Sequence, residues 1–175
     1  YGSSTAATFY ARRFKECLEE EVRFNIVDSA ERAQSGKVNL VECGSKELYI
    51  SAGKPSKEGG EAAAAALRAA ADDLKEGIID ALVTAPINKK NIQSEKFHFT
   101  SQKEYINSFC KDYEPLTLMV WNNLRVGSVT NHIAIKDIPG TITKELISNK
   151  LNVFHKTLQK DFGIASIGGK DSMSG

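Results

Sequence analysis

Apolar residues recur along this chain with two spacings, one helical and one alternating, and the switches between them outline an α/β protein. Tyr10, Phe14, Cys17 and Leu18 stand at helical spacing and predict a helix over residues 8–18, with Phe24-Asn25-Ile26-Val27 as a short strand after it. Lys37 to Glu42 alternates polar and apolar, and Glu47-Leu48-Tyr49-Ile50 follows the Cys43-Gly44-Ser45 break, so two more short strands are expected. Residues 51–60 are rich in Ser, Gly, Lys and Pro and read as a loop. Ala63, Leu67, Ala70 and Leu74 then mark one face of a helix over residues 61–75, whose small side chains allow close packing on a sheet. Ile78 to Val83 is a nearly continuous apolar run ending in Thr84-Ala85-Pro86, the pattern of a strand covered on both faces in a parallel sheet. Helix and strand together make half of a βαβ unit.

Farther along, Pro115–Trp121 and Leu124–Thr130 are β-rich runs separated by Asn122-Asn123, residues that tolerate the positive φ of a two-residue hairpin turn. Thr143 is placed to cap a helix carrying Ile147, Leu151, Phe154 and Leu158, which ends near Phe162-Gly163. Residues 165–175 show no periodicity and are expected to be a disordered tail. With neither an internal repeat nor a linker, residues 1–164 read as one α/β domain.

Composition narrows the possibilities. A chain of 175 residues can bury a core without disulfides or metal. Its 23 basic and 22 acidic residues leave a net charge of +1, which removes the electrostatic basis for a strong nucleic-acid or anionic-membrane partner. No apolar run approaches the roughly 18–20 residues of a membrane-spanning helix. Cys17, Cys43 and Cys110 are odd in number and lack C-x-x-C spacing, which fits a reducing cytoplasm better than a disulfide framework. The opening Tyr1-Gly2-Ser3-Ser4 has neither an initiator Met nor the basic and apolar regions of a signal peptide, so a processed chain or a fragment is expected.

Ligands of open α/β sheets collect beyond the carboxyl ends of strands, and two segments occupy such positions. Thr84 to Lys90 offers the Thr84 hydroxyl, the Asn88 amide and the Lys89 ammonium to an anion; a solvated strand-to-helix turn is the alternative. His132, after Thr130-Asn131, could bind a metal or move a proton, or be a histidine simply hydrogen-bonded at a strand end. His98, between aromatics, and His155, late in a helix, read as structural. There is no G-x-G-x-x-G, Walker loop, G-x-S-x-G or HExxH.

The run from Ala81-Leu82-Val83-Thr84-Ala85-Pro86-Ile87-Asn88-Lys89-Lys90-Asn91 to Ser94, followed by Phe97-His98-Phe99-Thr100, closely resembles the 4-hydroxythreonine-4-phosphate dehydrogenase family of vitamin B6 biosynthesis. The resemblance extends in order through Tyr1-Gly2-Ser3-Ser4, Glu58-Gly59-Gly60-Glu61-Ala62, Thr130-Asn131-His132-Ile133-Ala134-Ile135-Lys136-Asp137-Ile138-Pro139 and Lys160-Asp161-Phe162-Gly163-Ile164. It implies a three-layer α/β/α fold of the isocitrate and isopropylmalate dehydrogenase type. It also implies a cytoplasmic homodimer with active sites between two domains, using NAD (or NADP) and a divalent metal such as zinc, magnesium or cobalt. The implied reaction oxidises 4-phosphooxy-threonine, a small phosphorylated amino acid, to a 3-oxo acid that loses carbon dioxide. By the same resemblance His132 is the first of three metal-binding histidines.

Three departures accompany this resemblance. Where the family has a substrate-binding His-Thr pair this chain has Gln102 and Lys103; an amide can hydrogen-bond and an ammonium can meet phosphate, but neither replaces an imidazole that handles a proton. The chain is expected to be incomplete, lacking an N-terminal strand and a C-terminal part with the remaining metal histidines, and hence to be inactive alone. Residues 165–175 depart from the family, and Gly168-Gly169-Lys170-Asp171-Ser172-Met173-Ser174 resembles a stretch of phosphoribosylformylglycinamidine synthase. The alternative to an enzyme fragment is a non-catalytic binding or regulatory subunit that pairs with a full-length homologue. A third reading keeps an anion pocket around Thr84, Asn88, Lys89 and Lys103 without redox chemistry.

Overall fold

The computed structural model describes residues 1–15, 17, 22–44, 48–95, 97–109, 114–131 and 133–164. They form two compact units, Tyr1–Phe109 and Cys110–Gly175, each built from helices and short strands.

In the first unit α1 spans Ser4–Arg13, earlier than the apolar spacing predicts, because Ser3 is the N-cap and accepts from Ala6 N at 3.4 Å. Leu18, the last apolar position of that spacing, lies outside the described residues. Strands β1 (Phe24–Val27) and β2 (Val38–Val41) form where the alternation predicts them and pair in parallel, with Ile26 opposite Leu40. Gly2 extends the pairing beyond β2, donating to Val41 O at 3.0 Å and accepting from Cys43 N at 2.8 Å. Leu40, Val41 and Cys43 are buried there.

Helix α2 (Lys57–Glu76) starts four residues before the predicted position, since the Ser56 hydroxyl accepts from Gly59 N at 3.1 Å and opens the helix inside the expected loop. It ends at Gly77, whose φ of 74° is the left-handed conformation that closes helices. Gly60, Ala64, Leu67, Ala70 and Ala71 form its buried face. Ala64, Leu67 and Ala71 meet Ile92, Phe97 and Tyr105 in the core, where Ile92 and Phe97 are each 1% exposed. Tyr105 belongs to α3 (Gln102–Asn107), which the apolar pattern does not predict, and its ring lies 5.1 Å from that of Phe97.

Two predicted strands do not form among the described residues, Glu47 of the first lying outside them. Leu48–Ile50 and Ile78–Val83 enter no ladder, because β1 and β2 pair with each other and no described strand runs beside either segment. Leu82 packs on the core, whereas Val83 is 95% exposed. The buried parallel strand and the half βαβ unit expected here are therefore not formed among the described residues.

In the second unit β3 (Thr117–Trp121) and β4 (Leu124–Ser128) make the predicted hairpin, antiparallel, with Asn122 at φ 46° in its two-residue turn. One face packs on α5 (Lys144–Phe162): a Cβ added at Gly127 would sit 3.6 to 3.9 Å from Leu118, Leu116 and Phe154, and the Arg125 guanidinium lies 4.7 Å over the Phe162 ring. Helix α5 begins at Thr143, whose hydroxyl accepts from Leu146 N, and closes at Gly163 with φ 64°. Lys150 is buried, 2.9 Å from both a Glu114 carboxylate oxygen and Pro115 O. A short helix, α4 (Ile138–Thr141), precedes α5. The tail 165–175 expected to be disordered lies outside the described residues.

Candidate functional site

The segment after Val83 belongs to no helix or strand and leads from the core toward the N-terminus of α2. Its position is fixed at both ends by side chains. Gln102, on the first turn of α3, donates from Nε2 to Ala85 O at 3.0 Å. Asn91 donates from Nδ2 to Ser56 O at 2.6 Å, tying the turn after the segment to the cap of α2. Asn88 shapes that turn internally, its Oδ1 accepting from Lys90 N and Asn91 N, each at 3.1 Å. The turn lies so close to α2 that a Cβ on Gly60 would stand 1.9 Å from Asn91 O.

Two cavities flank the segment. The smaller, ≈ 230 Å³, is lined by Tyr1, Ala66, Ala70, Thr84, Pro86 and Gln102. The larger, ≈ 570 Å³, has Ala62, Ala63 and Ile92 among its lining, with Lys54, Ser56 and Asn88 as polar neighbours. Thr84 and Gln102 are thus brought together at one cavity, and Asn88 borders the other. Lys89 and Lys103 are exposed and line neither. Tyr1, Ser56 and Asn91 are site-forming residues that spacing alone does not single out; the Ser56-x-x-Gly59 cap followed by the small-residue helix face is the signal that marks Ser56.

Electrostatics hold this arrangement in place. Thr100 donates from its hydroxyl and its N–H to a Glu104 oxygen at 2.6 and 2.7 Å, and Ser101 Oγ accepts from Glu104 N at 3.1 Å. This reciprocal cap fixes the start of α3, which carries Gln102. Those bonds, the hydroxyl first, hold the Glu104 carboxyl below its ordinary value. Tyr1 donates to an Asp73 oxygen near the end of α2. Burial, followed by that bond and the Asp73 charge, raises the Tyr1 phenol well above its usual value.

The metal expectation rests on His132, which lies outside the described residues. Among the described residues no three His, Cys, Asp or Glu side chains gather to hold a metal ion. His98 and His155 are both exposed. Among the described residues, no helix is long and apolar enough to cross a membrane.

Comparison with known proteins gives this geometry a family. The chain is 40% identical over 167 residues to the 4-hydroxythreonine-4-phosphate dehydrogenase of Bacteroides thetaiotaomicron, covering 95% of this chain and 45% of that protein. The enzyme of the same name from a Sulfurihydrogenibium species is 33% identical over 119 residues, covering 68% of this chain and 37% of the relative. The chain therefore spans less than half the length of these relatives. Among solved structures, a putative 4-hydroxythreonine-4-phosphate dehydrogenase from Salmonella typhimurium superposes with TM-score 0.71 at 18% identity, covering 90% of this chain and 49% of that one. One from Burkholderia phymatum gives 0.67 at 24% identity, over 85% and 46%. These structures share the mixed helix-and-strand fold. The sequence profile described as "Pyridoxal phosphate biosynthetic protein PdxA" matches residues 2–167, and the chain belongs to that family.

Proposed function

We propose that this chain carries the substrate-positioning part of a 4-hydroxythreonine-4-phosphate dehydrogenase, acting on 4-phosphooxy-L-threonine in pyridoxal phosphate biosynthesis. The observation that supports it is the hydrogen bond from Gln102 Nε2 to Ala85 O. It joins the two segments on which the resemblance to the family's substrate-binding region rests. With its amide nitrogen engaged, Gln102 keeps Oε1 as an acceptor for a substrate hydroxyl or ammonium. The Thr84 hydroxyl lines the same cavity. Asn88, Lys89 and Lys103 stand nearby in sequence, and the two ammonium groups favour the phosphate.

In this reading the whole enzyme is a cytoplasmic homodimer of three-layer α/β/α architecture that uses NAD or NADP and a divalent metal, with His132 as one ligand. Bound nicotinamide and metal supply hydride acceptance and polarisation of the substrate hydroxyl. Among the described residues no three metal-ligating side chains gather, and the part assigned to them in this reading is to bind and orient substrate. Residues 1–164 are its share of the family domain, and the chain is inactive alone. Dimerisation has a candidate surface within the second unit: Met119 and Trp121 face Val126 and Leu124 across the hairpin, and all four are exposed.

The test is a thermal-shift titration with 4-phosphooxy-L-threonine. Ligand at ten times its Kd adds about 1.4 kcal/mol to the stability of the unit that binds it. Wild type should shift upward and Gln102→Ala should not; no shift at millimolar ligand refutes the reading. A coupled assay with substrate, NAD and metal should give no turnover, and turnover abolished by His132→Ala would overturn the expected inactivity. A second reading, a non-catalytic subunit that pairs with a full-length homologue, is favoured by Gln102 and Lys103 standing where the family has His-Thr. Co-purification with a complete homologue would support it.

A further inference from the structure

Among the described residues that line the ≈ 230 Å³ cavity, Tyr1, Thr84 and Gln102 have polar side chains and none is charged. Tyr1 differs from the other two in being joined to a charge, since its hydroxyl donates to an Asp73 carboxylate oxygen. A phenol has a single proton, and here that proton is committed. Burial, followed by the bond to Asp73 and its charge, raises the Tyr1 pKa and keeps the proton in place. Toward a ligand the Tyr1 oxygen therefore acts only as an acceptor. Its surroundings carry the matching sign: α2 ends in Asp72-Asp73-Leu74-Lys75-Glu76, where acidic groups outnumber basic ones and the helix dipole is negative.

We infer that Tyr1 is a specificity-determining residue of this cavity, receiving the ammonium group of the ligand at its Asp73-bonded phenol oxygen. An ionised phosphate or carboxylate brings only acceptors, finds no donor at this oxygen and is repelled by Asp73. A hydroxyl brings one donor and no charge. An ammonium brings three donors and the positive charge that the end of α2 favours. The inference rests on the substrate reading above and deepens it. In 4-phosphooxy-L-threonine it sets the amino group at Tyr1, leaves the hydroxyl to Gln102 Oε1 and Thr84, and turns the phosphate away from the acidic end of α2.

The experiment compares the apparent Kd of two ligands, taken from the concentration dependence of the thermal shift: 4-phosphooxy-L-threonine and its deamino analogue, with hydrogen in place of the amino group. Wild type should favour the amino form by about tenfold, the worth of a charge-assisted hydrogen bond. Tyr1→Phe keeps the ring as a wall of the cavity and should bring the two affinities within about threefold of each other. Asp73→Asn still offers the Tyr1 hydroxyl an acceptor but carries no charge, and its preference should fall between those of wild type and Tyr1→Phe. Each ratio is internal to one variant, so a general loss of stability, which weakens both ligands alike, does not move it. No shift with either ligand on wild type would refute the substrate reading and the inference with it. Equal affinities in wild type, or a Tyr1→Phe or Asp73→Asn variant that discriminates as wild type does, would overturn the inference and leave the substrate reading standing.

Discussion

Replacing Gly60 by alanine tests the close approach that seats the site. The new methyl would lie 1.9 Å from Asn91 O and 2.6 Å from its carbonyl carbon, far inside the roughly 3.5 Å of comfortable contact. Both neighbours are backbone, so no side chain can rotate away, and the turn must retreat by on the order of 1.5 Å. That retreat stretches the 2.6 Å bond from Asn91 to Ser56 O and shifts Ile92 within the core. Overpacking costs about 1–3 kcal/mol and the lost hydrogen bond about 1, while the better helix propensity of alanine returns about 1. The net loss is about 1–3 kcal/mol, read as a fall of about 5- to 150-fold in exchange protection of the α2 amides. Gly59→Ala is the internal comparison, because its Cβ would meet only the Ser56 hydroxyl at 3.1 Å and the Asn91 amide nitrogen at 3.9 Å. It should cost less than about 1 kcal/mol. If Gly60→Ala is no worse than Gly59→Ala, the seating of the turn on α2 is wrong.

Further predictions follow from the polar contacts. Lys150→Met removes the donor to Pro115 O and the partner of Glu114, and should cost about 1–2 kcal/mol in urea titrations followed by the fluorescence of Trp121; an unchanged midpoint would refute it. Glu104 has a lowered folded pKa, so its contribution is complete above the unfolded value, 4.5, and is lost as pH falls through the folded value. Exchange protection of α3 should therefore drop in acid, and Glu104→Gln should abolish that pH dependence. Burial raises the Cys43 thiol above 9.0, so alkylation mapped by mass spectrometry at pH 8 should modify the exposed Cys17 well before Cys43. Equal rates would show that Cys43 is not buried.

The sequence was most legible where a pattern is satisfied locally. The hairpin follows from Asn122-Asn123 between β-rich runs, and α5 from a threonine cap and a terminal glycine, because turn and cap chemistry need only neighbours in the chain. Helix α2 was recognised from its alanine face, but its start was hidden by glycines that read as loop until Ser56 is seen to cap them. Ile78–Val83 carries a pattern of two-sided burial, yet a strand exists only when another strand lies beside it, which no local pattern can report. The six-residue α3 depends on Tyr105 reaching the aromatic core and on the Thr100–Glu104 cap, contacts too short in sequence to produce a period. Of the candidate site, Thr84 and Gln102 share a cavity, a proximity that sequence separation conceals.

The parallel pair β1–β2 has its own safeguard against misalignment. Asn39 accepts from Asn25 Nδ2 at 2.7 Å and from Gln34 N at 3.0 Å, and donates to Gln34 O and Lys37 O. Every hydrogen-bonding atom of one amide is thereby engaged, in the alignment that sets Asn25 opposite Asn39 and Ile26 opposite the buried Leu40. A slip by one residue would break the Asn25–Asn39 bond, the one of these four that crosses between the strands, while the bonds to Gln34 and Lys37 shape the loop that leads into β2. A four-residue strand, too short to discriminate by apolar contacts, acquires an all-or-none choice of partner, and its proofreader is a single asparagine.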